Sequence, residues 1–141
     1  MKKMIRASAL LLVAVLLCGV LAACAPSLDS EKLETVMTEA GYTVTFGNAE
    51  LIGRYKEAGV DLDEKLIATL SERDATNGKT TVQYVVVYYF PDVDNAKKAA
   101  ELIAADAAAE KSDLHPDWVE PKRFGNIVYY GTVTAVDIAK D

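Results

Sequence analysis

Beyond residue 27 the apolar positions fall into a succession of short periodic stretches. Leu33, Val36, Met37 and Ala40 recur at i, i+3, i+4 and i+7, which puts them on one helical face and predicts a helix from Ser30 to Ala40. Asp29 or Ser30 suits its start and Gly41 its end. Tyr42, Val44 and Phe46 then alternate with Thr43 and Thr45, the pattern of a half-buried strand. Asn48 is placed to cap a short helix over Ala49 to Ala58, where Glu50 and Arg54 form an i,i+4 pair. Lys65 to Arg73 reads as a second strand, with Leu66, Ala68 and Leu70 on one face. Asn77-Gly78 signals a hairpin, because both residue types tolerate positive φ.

The third strand, Thr80 to Phe90, is apolar on both faces: Val82, Tyr84, Val86, Tyr88 and Phe90 on one, Val85, Val87 and Tyr89 on the other. Such a strand belongs at the centre of a sheet, covered on two sides. Pro91 stops it, and Asp92 caps the longest helical pattern, Val93 to Lys111. The stripe of that helix is Val93, Ala96, Ala100, Ile103 and Ala107. Ser112 to Arg123, with Pro116 and Pro121, reads as a polar loop. Asn126 to Tyr130 is a fourth strand, broken by Gly131, and a short helix starts at Thr132 or Thr134 and ends near Lys140. The order α-β-α-β-β-α-β-α predicts an α+β fold, a two-layer sandwich with one mostly antiparallel four-stranded sheet. The helix between the third and fourth strands also permits a parallel crossover.

The chain before this region is different in kind. Lys2, Lys3 and Arg6 precede an apolar core from Ala9 to Ala23, and the core ends in small residues. These are the parts of a secretory signal peptide. The closing stretch Leu21-Ala22-Ala23-Cys24 resembles the lipobox of bacterial lipoproteins. That resemblance implies that the Cys24 thiol receives diacylglycerol and that cleavage just before it makes Cys24 the first mature residue. Cys18 is the competing cysteine, but bulky Leu17 precedes it, so it reads as filler lost with the leader. An uncleaved span is the alternative, since about 17–25 apolar residues cross a bilayer. The expected organisation is a removed leader over 1–23, a lipidated Cys24 and short tether over 24–27, and one domain over 28–141. At about 3.3 Å per extended residue, Ala25-Pro26-Ser27 gives slack on the order of 10 Å, so the domain is expected close to the extracytoplasmic membrane surface.

Charge narrows the partners. The 141 residues carry net charge −6, and removing the three basic residues of 1–23 takes it to −9. Such a domain lacks the basic patches that grip nucleic acid or anionic lipid, so no nucleic-acid partner is expected and the membrane is reached through the lipid. The remaining 118 residues suffice for one core. With Cys24 the only mature cysteine, neither an internal disulfide nor a thiolate metal site is expected.

Catalytic chemistry is thinly represented. His115 is the only histidine, and it sits in Asp113-Leu-His-Pro-Asp117-Trp118. With Asp113 or Asp117 it could form a base–carboxylate pair. An isolated histidine in a loop beside a proline has no ligand geometry, however, and reads as a surface residue. Asp61-Leu-Asp63-Glu64 and Asp92-Val-Asp94 lack the ligand spacing of a calcium loop. No serine lies in a nucleophile motif, and no glycine-rich phosphate loop occurs. No metal and no cofactor are expected. The tyrosines suggest a docking face: if the third and fourth strands are neighbours, Val85, Val87 and Tyr89 join Val128 and Tyr130 in one apolar face, part of it exposed for an envelope protein or peptide. Tyrosine is equally suited to half-buried sheet. The expected function is therefore a non-catalytic, membrane-anchored envelope lipoprotein binding a protein, peptide or cell-wall ligand. The alternative is a small hydrolase using carboxylates with His115.

Overall fold

The computed structural model describes residues 25–111 and 117–141. The leader, Cys24, and Ser112 to Pro116 with Asp113 and His115 lie outside the described residues.

Asp29 starts the first helix, α1 (Ser30–Glu39), its carboxylate accepting from the Glu31 and Lys32 backbone N–H groups at 3.0 and 3.3 Å. Strand β1 (Thr43–Phe46) follows, then α2 (Ala49–Glu57), capped by the Asn48 side chain. The hairpin strands are β2 (Glu64–Arg73) and β3 (Thr80–Tyr89). The hairpin lies where expected, but its turn is wider than a two-residue Asn-Gly turn. The Asp74 N–H donates to the Lys79 carbonyl at 2.9 Å, and only Gly78 takes positive φ. Asn77 instead donates its side-chain amide to the Asp74 carboxylate at 2.8 Å.

The long helix is divided at Ala99 into α3 (Val93–Lys98) and α4 (Ala100–Glu110). Ala96, Ala99, Ile103 and Ala107 are buried, whereas Val93 and Ala100, expected on the stripe, face solvent. The stretch expected as a polar loop contains an additional strand, β4 (Trp118–Phe124). Pro121 is tolerated because β4 is an edge strand, and its pairing is irregular between Val119 and Lys122, where the missing N–H falls. Strand β5 (Ile127–Thr132) continues through Gly131, and α5 (Val133–Ala139) closes the described chain.

The fold is α+β with one antiparallel five-stranded sheet in the order β1-β2-β3-β5-β4. The fifth strand decides the topology. Because β4 reverses the chain before β5, β5 returns antiparallel to β3, and the parallel pairing the sequence permitted does not form. Helices cover both faces, so the expected two layers become three. On one face Leu33 and Met37 of α1 and Ala135, Val136 and Ala139 of α5 pack on Leu66, Val85, Val87, Ile127 and Tyr129. On the other, Tyr55 of α2 and the alanine stripe of α3 and α4 pack on Val86, Tyr88, Val128 and Tyr130.

This register overturns the expected docking face. Directly opposed residues in an antiparallel pair share a face. Val86 opposes Tyr130, Val87 opposes Tyr129, and Tyr88 opposes Val128. Val85, Val87 and Tyr89 therefore lie on the α1/α5 side, and Val128 and Tyr130 on the other. All five are buried. Helix α1 covers the Val87 side, and the short α2 and α5 help close the two faces.

Candidate functional site

The end of the domain next to Cys24 is built into the core. Ala25 is buried, in one cluster with Leu33, Met37 and Ala139. The Tyr89 hydroxyl donates to the Ser27 carbonyl at 3.0 Å, and the Asp29 N–H donates to the Ser27 hydroxyl at 3.2 Å. The expected slack of about three residues is thus taken up from Ala25 onward, because these residues are packed and hydrogen-bonded. Around them lies a groove of about 440 Å³, within the usual range of small-ligand pockets. Ala25, Leu28, Leu33, Val36, Phe124 and Ala139 give it an apolar wall, and Lys32, Lys140 and Asp141 add charges of both signs. Leu28 is 51% exposed, the most exposed large apolar residue described.

A second concentration of polar chemistry lies on the opposite side of the sheet. The Asp106 carboxylate on α4 accepts from Arg54 at 2.8 and 2.9 Å, and from the Tyr55 and Tyr88 hydroxyls at 3.0 Å each. Lys65 is buried, with its ammonium 5.0 Å from the centre of the Tyr88 ring and 3.8 Å from Glu110. Burial is the main cause that holds the Tyr55, Tyr88 and Tyr130 hydroxyls well above the ordinary phenol range. Tyr55 and Tyr88 are neutral donors rather than nucleophiles, and Asp106 is occupied by three partners. The cluster ties α2, β3 and α4 together. Sequence reasoning missed it because Tyr55, Tyr88 and Arg54 lie 51, 18 and 52 positions from Asp106. The one local signal was an aspartate beside the alanine stripe.

The loop acids have local structural work. Asp92 caps α3, accepting from the Asn95 N–H at 2.7 Å, and Asn95 in turn accepts from the Asp61 N–H at 2.9 Å. The Asp117 carbonyl accepts from the Val133 N–H at 3.0 Å. Among the described residues no group of three or more His, Cys, Asp or Glu is placed to hold a metal ion, and no helix is long and apolar enough to cross a membrane.

No protein-family model, no curated protein and no solved structure matches this chain.

Proposed function

We propose that this chain is a cell-envelope lipoprotein, held on the extracytoplasmic side of the membrane by a lipid on Cys24. Its small acidic, non-catalytic domain binds a protein, peptide or cell-wall ligand. The observation that carries the anchoring half is the meeting of two features. The lipobox-like Leu21 to Cys24 is followed directly by Ala25, which is buried in the core of the domain. Diacylglycerol supplies two acyl chains, and a single chain of about 0.8 kcal/mol per buried methylene holds only reversibly. No long linker intervenes, so the domain works within reach of the bilayer.

The binding half is directed away from the sheet faces, since helices close both. What stays open is the far end. There β2 and β3 run on beyond their neighbours: β1 stops opposite Thr69 and β5 opposite Val85. Among the described residues, Leu70 to Arg73 and Thr80 to Gln83 pair in the sheet only with each other; Leu70 still packs on the core, and Ser71 to Thr81 form an exposed two-stranded arm. A ribbon with free backbone edges suits recognition of an extended peptide by strand addition.

Metabolic labelling with a fatty acid tests the anchor. The native protein should take up label and lose residues 1–23, and Cys24→Ala should do neither. Label persisting on the Cys24→Ala protein would overturn the proposal.

A further inference from the structure

Among the described residues nothing fills the groove beside Ala25, and its position next to Cys24 says what it meets. We infer that the lip formed by Leu28 and Phe124 is a second, protein-made contact with the bilayer, seated at the boundary between headgroups and acyl chains. This rests on the reading of Cys24 as the lipidated residue.

The residue next to the anchor is part of the groove wall itself, for Ala25 both lines it and packs in the core. With the acyl chains in the bilayer, Ala25 lies one peptide unit from the lipid-bearing residue, about 3.8 Å between successive Cα atoms. Leu28 follows three positions later, half in solvent. Gly125, at the turn between β4 and β5, lies against the Leu28 side chain, so Leu28 and the end of β4 form one continuous edge. The Tyr89–Ser27 hydrogen bond prevents the segment from swinging away. An exposed leucine and a partly exposed phenylalanine therefore lie at interface depth, where apolar and aromatic side chains are favoured. Lys32 and Lys140 rim the groove with Asp141, Lys140 also pairing with Asp137 at 3.3 Å, and their long stems let the ammonium groups reach headgroups while the lip is buried. The contact also sets an orientation. Phe124 sits by the β5 start, level with Tyr89 and Glu64, while the Arg73–Thr80 end lies nine residues along the hairpin, about 30 Å away. The projecting arm then points away from the membrane.

The processed chain leaves a clean probe, because Cys18 departs with the leader and Cys24 carries lipid. A cysteine introduced into the full-length protein is its only free thiol. Leu28→Cys, Phe124→Cys and Asn77→Cys would each be labelled with an environment-sensitive fluorophore. The lipidated proteins would be placed in vesicles of phosphatidylethanolamine and phosphatidylglycerol. Positions 28 and 124 should shift to the blue and be quenched by a nitroxide on the lipid chains, and position 77 should be quenched only from the aqueous phase. Leu28→Asp should release the label at 124 to water while the lipid remains. Acyl label present with positions 28 and 124 as wet as 77 would overturn the contact and leave the anchor standing. Absence of acyl label would overturn the anchor, and the contact with it.

Discussion

The Tyr89 hydroxyl donates to the backbone carbonyl of Ser27 at 3.0 Å, tying the central strand to the segment that follows Cys24. One side chain thus links the core of the sheet to the anchor end. Tyr89→Phe keeps the ring and removes this bond. It should cost about 0.5–1.5 kcal/mol and loosen residues 25–28. Limited proteolysis of the variant should cut near Ser27 sooner than in the native protein, with the remaining domain intact. Equal cutting rates would mean that the packing of Ala25 alone holds the segment.

Tyr130 lies opposite Val86, beneath the helices, and is fully buried. Tyr130→Ala should cost about 3–5 kcal/mol, a loss large enough to unfold many domains of this size. Urea unfolding followed by circular dichroism measures it. A stable Tyr130→Ala protein would restore the open-face reading that the register removes.

Much of the fold was legible from periodicity, and the misses have physical causes. The stretches read as β1, β2 and β3 are strands, although burial does not alternate along them: Phe46, expected on the half-buried face of β1, is 42% exposed, and β3 is buried on both faces from Tyr84 to Tyr89. Strand β4 was hidden by Pro121 and Lys122, residues that an edge strand tolerates and a central strand does not. With β4 missing, neither the antiparallel return of β5 nor its parity relative to β3 could be read, and Val85 was grouped with Val128. A one-residue change of register moves every side chain to the other face. Three-layer packing was concealed by the shortness of α2 and α5, each of which contributes few but fully buried residues. The groove at Ala25 depends on residues far apart in sequence, Leu28, Phe124 and Ala139, and no local pattern announces it.

Asp106 joins Arg54, Tyr55 and Tyr88. Asp106→Ala leaves two tyrosine hydroxyls without their acceptor and should cost about 1–3 kcal/mol. Asp106→Asn keeps one accepting oxygen and should cost less. A chemical-denaturation series on the three proteins decides this, and equal stabilities would show that water replaces the carboxylate without loss.

Alkaline pH should unfold the domain. Burial pushes the Tyr84 hydroxyl up to about 12, with the charge of Glu110 adding to it. Tyr55, Tyr88, Tyr89 and Tyr130 are also raised, each chiefly by burial. An unfolded tyrosine ionises near pH 10. The folded state therefore holds these protons more tightly, and their contribution is complete below about pH 10. It is lost as pH rises through the folded values. Phenolate absorbance and circular dichroism recorded together should change in one transition. Full phenolate absorbance with the fold retained would contradict the burial of these hydroxyls.

The mass of the intact protein, extracted from membranes of cells that process it, decides whether Cys24 is the anchor. The expected species is a chain that begins at Cys24, with added mass equal to a thioether-linked diacylglycerol. A chain that retains residues 1–23, or one that begins elsewhere with Cys24 absent or unmodified, would contradict it.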